Sequence, residues 1–496
     1  MILAIPLFIT GNRRFTLPGR DGMLTRADMK SRLLGLGHIR FKDGAPPVRE
    51  LYRRNIAIAW PATLEGSLLS LISAADTMMV GVLGSGAIAA VGLTAQPRMI
   101  LLILAQSLCV GTTAVIARRK GADDRASAIE CLKQSLVIVT LLGVAMSLFG
   151  ALGAVPFMRL AGANDETLGM AADYFRLISM GLLFNCVLLC ICAALRAIGQ
   201  TRVTMVTNIT ANLVNLAFNY LLIGGNLGFP RLGVRGAAIA TVIGTATACV
   251  IAVYFLMKED SWLRFRVFEK VRMGGQTLRS LLNVGTASVA ESAFLRIGFL
   301  ITARMVAGIG TAAFAAYMIV TQVTSFSFTL GDGIATAGAS LVGQSLGAGR
   351  PDLARANAAI SRRLSTAASL ALMAVLLLTR NVIPLAFTKD AEIIAGVSLA
   401  FVVVIVGILP QNGRVVYSGC LRGAGDARYV AACSLISVTI VRPLLTYVFC
   451  YPAATAFPAL RLAVTGPWLA FVLDAFIRDW LYSRRIRQEK WLRIRL

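Results

Sequence analysis

Asp76 is the one carboxylate in the apolar stretch LISAADTMMVGVLGSGAIAAVGL (residues 71–93), which holds no positive side chain to neutralise it. A carboxylate in that position could hold a proton or a cation. It also needs a reason to be there, because a charge at mid-bilayer costs at least about 2.5 to 3.5 kcal/mol on insertion scales. Glu65 precedes it by eleven residues, three helical turns, so the two share a face that also bears Leu68, Leu69 and Ile72. Pro61 lies roughly 40° to one side of that face. It removes a backbone donor and crowds Ala57, so a bend or hinge is expected where the acidic face begins. A straight helix would carry Asp76 about 33 Å from Arg54, out to the interface where it would merely snorkel. A bent helix, or a cavity open to the outside, gives it work to do.

A second polar set lies in TNITANLVNLAFNYLLIGGN. Asn208, Asn212, Asn215 and Asn219 are spaced four, three and four apart, which lines one side of a helix with amides. Facing lipid they would go unsatisfied, so they face other helices or water. Interhelical hydrogen bonds of about 0.6 kcal/mol each are the simple reading of such residues, and four on one face exceed what a single contact needs. Further along, Glu291, Arg296, Arg304 and Asp332 are also intramembrane. Glu291 and Arg296 fall on different faces and are expected to pair with other helices, with Asp332 as a candidate partner. Met78, Met79, Phe326 and Phe328 are candidate linings for an apolar pocket.

These residues need helices to hold them. Of the 496 residues 57% are hydrophobic and 15% charged, and the mean hydropathy is +0.74. Ordinary soluble domains carry roughly 25% charged residues, so the composition is that of an all-α polytopic membrane protein. The net charge of +25 collects in short segments between apolar runs, as the positive-inside rule expects, and nucleic acid is not an expected partner. The nine cysteines form no CxxC pair, and the only histidine, His38, stands in a basic N-terminal stretch. No metal site and no cofactor are expected.

Apolar runs of about 20 residues fall near 54–80, 87–117, 128–152, 170–195, 202–225 and 234–257. After a basic break at 258–279 a second set falls near 281–306, 312–342, 362–387, 394–419, 428–452 and 461–483. The expectation is about twelve transmembrane helices in two six-helix lobes, 49–257 and 280–485. A mobile basic tail at 1–48, for which Met23 and Met29 are alternative starts, and a basic tail at 486–496 flank them. RELYRR, ARRKGADDR, LRAIGQTR, LRGAGDAR and SRRIRQEKWLRIR all fall on one side, so both termini are expected in the cytoplasm.

The lobes repeat one another. An offset of 226 residues pairs Glu65 with Glu291, LRAIGQTR with LRGAGDAR, Gly84 with Gly310, Gln96 with Gln322 and Gly121 with Gly347. Each half has an even number of spans, so the repeat is parallel, about a pseudo-two-fold axis along the membrane normal, with a site expected between or within the bundles.

In their order and spacing, ADTMMVGVLGSGAIAAVG, LRAIGQTR, NLVNLAFNYLLIGGNLGFPRLGVRGAAIAT and LVGQSLGAGRPDLARA resemble the multidrug and toxic compound extrusion (MATE) family. The likeness is to its prokaryotic branch named for a DNA-damage-inducible protein, and it runs from about residue 50 to 485. It implies two lobes forming a V that opens alternately to each side, and antiport of organic compounds, cationic or amphipathic, against H⁺ or Na⁺. It matches Asp76 to the essential first-helix carboxylate, Pro61 to the bending proline and Asn215 to an amide of the polar network. Asn219 stands where related sequences usually carry a second acid, which favours H⁺. Glu291 falls about one turn before the acid of the other prokaryotic branch.

The expectation is therefore a monomeric antiporter of the bacterial inner membrane, in contact with lipid and small organic substrates. Asp76, Asn215, Asn219 and Glu65 would serve coupling, with Asn208, Asn212, Gln96, Glu291, Gln322 and Asp332 as polar cavity candidates. Rival readings are a lipid-linked precursor flippase, which would need Arg296 and Arg304 as a cationic cavity, and a membrane-embedded enzyme. The sequence has no HExxH, no intramembrane histidine and no nucleophile with a base, and GASLVGQSLGAG lacks the lysine of a phosphate loop.

Overall fold

The computed structural model describes residue 41 and residues 46–264, 274–388, 390–453 and 462–494. The expected N-terminal tail and the middle of the basic break lie largely outside these.

The first bundle comprises α1 (Val48–Gly81), α2 (Ser85–Gly121), α3 (Arg125–Leu152), the short α4 (Ala154–Leu160), α5 (Asp165–Met180), α6 (Leu182–Ala197), α7 (Thr201–Gly224) and α8 (Val234–Met257). The second comprises α9 (Gly275–Ala307), α10 (Thr311–Gly347), α11 (Pro351–Thr379), α12 (Ala391–Gly423), α13 (Ala427–Ser434), α14 (Arg442–Cys450) and α15 (Leu462–Arg487). A π-helical segment, Leu435–Val441, joins α13 to α14 into one span. Helices α5 and α6 likewise form one span, bent by 46° at Gly181, where any side chain would meet Val242 of α8.

Ten of these helices are long and apolar enough to cross a membrane, and the α5–α6 pair makes eleven. The twelfth, α15, falls on the expected apolar run near 461–483 but carries Asp474, Arg478 and Asp479 and is not among those ten. It joins the bundle by burying Asp474 and Arg478 almost completely against other side chains, since backbone and charge are tolerated at membrane depth only when enclosed by protein. The chain is an integral membrane protein.

Two edges differ from the sequence expectation. Helix α9 begins at Gly275, inside the expected inter-lobe linker. The C-terminal tail is packed: Lys490–Arg493 forms a 3₁₀ turn whose Trp491 is fully buried in the second lobe's core. Helix α1 runs continuously through Pro61. The tight turns after α1 and α9 both need positive φ, at Gly84 (φ 106°) and Gly310 (φ 154°), residues that the 226-residue offset pairs.

The lobes meet at the end that carries the basic loops. Asn55 of α1 donates to Asn357 of α11 (2.9 Å) and accepts from Ser361 (2.9 Å). The Ala197 carbonyl accepts from Ser340 (2.9 Å) and Gln344 (2.7 Å). Arg119 donates to Thr277 (2.6 Å) and Arg118 to the Ile494 carbonyl (2.5 Å). Glycines permit this approach. A Cβ on Gly121 would overlap the Gln344 carbonyl, and one on Gly347 would overlap that of Arg118. Among the described residues the hydrogen bonds between lobes all lie at this end, so the cleft is sealed there and opens toward the Gly84 and Gly310 turns.

Candidate functional site

Helix α1 brings Asp76 to within one turn and a half of its far end, half-buried against α7. Asn219 donates to the Asp76 carboxylate at 2.8 Å. Asn215, one turn earlier, faces both carboxylate oxygens. With its NH₂ toward Asp76 it donates at 3.0 and 3.2 Å, while its carbonyl accepts from the backbone N–H (3.1 Å) and hydroxyl (3.3 Å) of Thr241 on α8; the network decides the amide's orientation. Close packing fixes Asn215, because Gly244 of α8 lies so near that a Cβ there would stand 2.9 Å from the Asn215 Cβ. Asn219 Oδ1 is buried and has no hydrogen-bond partner. No Lys or Arg forms a salt bridge with Asp76 among the described residues, so only neutral amides offset its charge.

Glu65 shares the face of α1 but not this site. It is 4% exposed and ion-paired with Arg196 of α6 at 2.7 Å, and it also accepts from Asn208 (2.8 Å) and Thr204 (3.2 Å) of α7. The amide stripe therefore divides: Asn208 serves Glu65, Asn215 and Asn219 serve Asp76, and Asn212 between them donates to the Asn208 carbonyl (2.7 Å). The second lobe repeats the ion pair as Glu291 with Arg422 at 3.4 Å. Asp332, the partner considered for Glu291 and Arg296, pairs with neither and is exposed. With Gln106, Arg196, Glu291 and Arg422 it lines a cavity of about 390 Å³ at the floor of the cleft, between the lobes.

Other candidates fall elsewhere. Gln96 opens on a separate apolar cavity against Phe149 and Phe157, and Gln322 is exposed. Met78 and Phe326 are exposed at 73% and 41%, whereas Phe328 lines, together with Arg296, a cavity walled mainly by the second lobe. Arg304 is exposed. Among the described residues no group of three or more His, Cys, Asp or Glu is placed to hold a metal. Sequence reasoning missed Thr241, one of three threonines in a largely apolar helix, since Thr245 and Thr247 carry the same hydroxyl and nothing in the sequence sets Thr241 apart. Arg196 and Arg422 stand in the paired motifs LRAIGQTR and LRGAGDAR, but their spacing alone does not join them to Glu65 and Glu291.

Two parallel six-span bundles around a cleft sealed at one end define a membrane transporter. The MatE family model matches residues 61–221 and again 287–448, and the chain belongs to this family; it is a transporter, not an enzyme. YisQ of Bacillus subtilis, described as an uncharacterized transporter, is 26% identical over 438 residues, covering 88% of this chain and 94% of that one. A probable multidrug resistance protein NorM of Thermotoga maritima is 26% identical over 455 residues, covering 91% and 96%. Among solved structures, a MOP superfamily transporter from Pyrococcus furiosus superposes with a TM-score of 0.80 at 21% identity, over 90% of this chain and 98% of that one. An outward-facing multidrug resistance MATE family transporter superposes at 0.79 with 21% identity, over 88% and 97%.

Proposed function

We propose that this protein is a secondary antiporter of the bacterial inner membrane, acting as a monomer with both termini cytoplasmic, that exports amphipathic organic compounds in exchange for H⁺. The observation that carries the reading is Asp76 held by two amide donors with no cation against it. The ionised carboxylate accepts from Asn219 and Asn215. Protonation turns one of its oxygens into a donor, which then needs an acceptor. A half-turn of the Asn219 amide supplies one, the Oδ1 that is otherwise buried without a partner. The site thus has one hydrogen-bonded arrangement for each protonation state.

Asn215 is anchored to α8 through Thr241, so a change at Asp76 is felt by the packing of α1 against α7 and α8. Proton uptake from outside then favours release of substrate from the first lobe, and proton loss to the cytoplasm resets the cleft. Such coupling requires only that proton and substrate prefer different states. Among the described residues Asp76 is the only carboxylate in this amide network, with Asn219 where a second acid would stand, which supports H⁺ over Na⁺, because Na⁺ is ordinarily bound by several oxygens with carboxylate charge among them. The multidrug resistance names of the NorM relatives support the substrate class, and the basic loops support the orientation.

Dye efflux assayed in inverted vesicles under an imposed pH gradient, with and without Na⁺, tests this. Asp76→Asn should abolish efflux at near-normal protein abundance. Substantial gradient-driven transport by that variant defeats the proposal.

A further inference from the structure

The coupling reading leaves unused a cavity of about 540 Å³ walled mainly by the second lobe, with Met99, Ile103 and Gln106 of first-lobe α2 along one side. Two arginines, Arg296 and Arg442, line it together with Tyr317, Phe299, Trp468 and Phe471, and no carboxylate does. Gln106 and Ser292 line both this cavity and the one at the cleft floor, so the two communicate.

Its charge is not balanced. Arg442 is 1% exposed and bonds Asp474; its guanidinium lies 5.0 Å over the rings of Phe299 and of Phe471, and its Nε has no partner. Asp474 is shared with Arg478, at 2.5 and 3.0 Å. Arg414, a third buried guanidinium beside them, lies 5.2 Å over the Phe328 ring, and its Nε is also unpartnered. The neighbouring acids are committed elsewhere, Glu291 to Arg422 and Asp479 to Arg362 at 2.6 and 2.8 Å. Three buried cations therefore surround one anion, with Arg296 exposed at the mouth.

The repeat sharpens the contrast. An offset of 226 residues puts Thr302, another lining residue, where the first lobe has Asp76. The two family-matched segments begin 226 residues apart and end 227 apart, consistent with the single-residue insertion that a π-helical segment makes; Leu435–Val441 is that segment. Beyond it, Arg442 corresponds to Asn215. The first lobe offers a carboxylate and an amide, and the second a hydroxyl and a guanidinium.

We infer that the second-lobe cavity is a binding site for an anionic aromatic compound, whose carboxylate or sulfonate meets Arg442 and Arg296 while its ring lies between the aromatic walls. Anions gain charge-assisted hydrogen bonds from the guanidiniums, and a cation of the same shape is repelled by them with only the aromatic faces to offset that cost. That such a compound is exported cargo rests on the antiport reading; that it binds does not.

The test is equilibrium binding of radiolabelled 2-naphthalenesulfonate to the purified full chain in phosphatidylcholine nanodiscs, with 2-naphthyltrimethylammonium as competitor. The expected result is saturable binding absent from empty discs, no displacement by the ammonium compound, and affinity about tenfold weaker or more in Arg296→Gln, which loses one charged contact. Arg296 lies outside the buried cluster, so this variant keeps the fold; Arg442→Gln should weaken binding further. Signal equal to that of empty discs, displacement by the ammonium compound, or unchanged affinity in Arg296→Gln overturns the inference. Binding without any gradient-driven efflux would overturn antiport and leave the site standing. Efflux of a dye without sulfonate binding would do the reverse.

Discussion

Replacing Glu65 by Gln removes the charge that balances Arg196 while leaving the shape of the side chain. Breaking a buried pair by neutralising one partner costs about 3 to 5 kcal/mol, because the other charge stays behind uncompensated. Glu65 is 4% exposed but Arg196 is 31% exposed and borders the central cavity, so water recovers part of that cost and about 2 to 3 kcal/mol is expected. Glu291→Gln in the second lobe should cost less, about 1 to 2 kcal/mol. Its contacts to Arg422 are 3.4 and 3.5 Å, and it lacks the additional donors that Asn208 and Thr204 give Glu65. Unfolding of the purified protein by SDS titration in mixed micelles, followed by tryptophan fluorescence, reads both values. Arg196→Met should rescue part of the Glu65→Gln loss in a double-mutant cycle. If Glu65→Gln lay within about 0.5 kcal/mol of the parent, or cost less than Glu291→Gln, the assignment of Glu65 to a buried charge pair would be refuted.

Asn219→Asp restores a second acid beside Asp76 and should strengthen cation binding, seen as Na⁺-stimulated efflux; flux identical in every ionic condition would count against a coupling role for that position. Gly347→Val places side-chain atoms into the Arg118 carbonyl and should force the sealed end apart, read as a longer spin-label distance between the basic ends of α2 and α10. An unchanged distance distribution would show that the seal does not depend on that contact.

The spans were legible because a bilayer imposes length and apolarity on each segment, α15 among them at 461–483, whereas the pairing of its charges was not, because the fold and not the solvent satisfies them. The amide stripe on α7 was readable as a face from its spacing. Its division between Glu65 and Asp76 was not, because spacing along one helix says nothing about which neighbour packs at which height. The repeat arithmetic held more than a single helix could show. It paired Glu65 with Glu291 and Arg196 with Arg422, and in both lobes acid and arginine are separated by 131 residues. Arg442 also left a mark, a lone arginine inside SVTIVRPLLTYVF, whereas its escape from full pairing depends on three helices converging. Arg296 was visible, but its expected partner Asp332 turned out to line the other cavity.

At Gly121 and Gly347 the lobes touch through carbonyl oxygens and hydrogen-bearing α-carbons, with no side chain interposed. A joint of that kind has no adjustable part. Residue-by-residue variation could lengthen, shorten or recharge a side-chain latch in small steps, but here the smallest step available, a methyl group, already collides with the opposing main chain. Evolution can retune the walls of the two chambers by degrees, while at these two positions it faces a cliff, and drug-selected variants should accumulate in the former and avoid the latter.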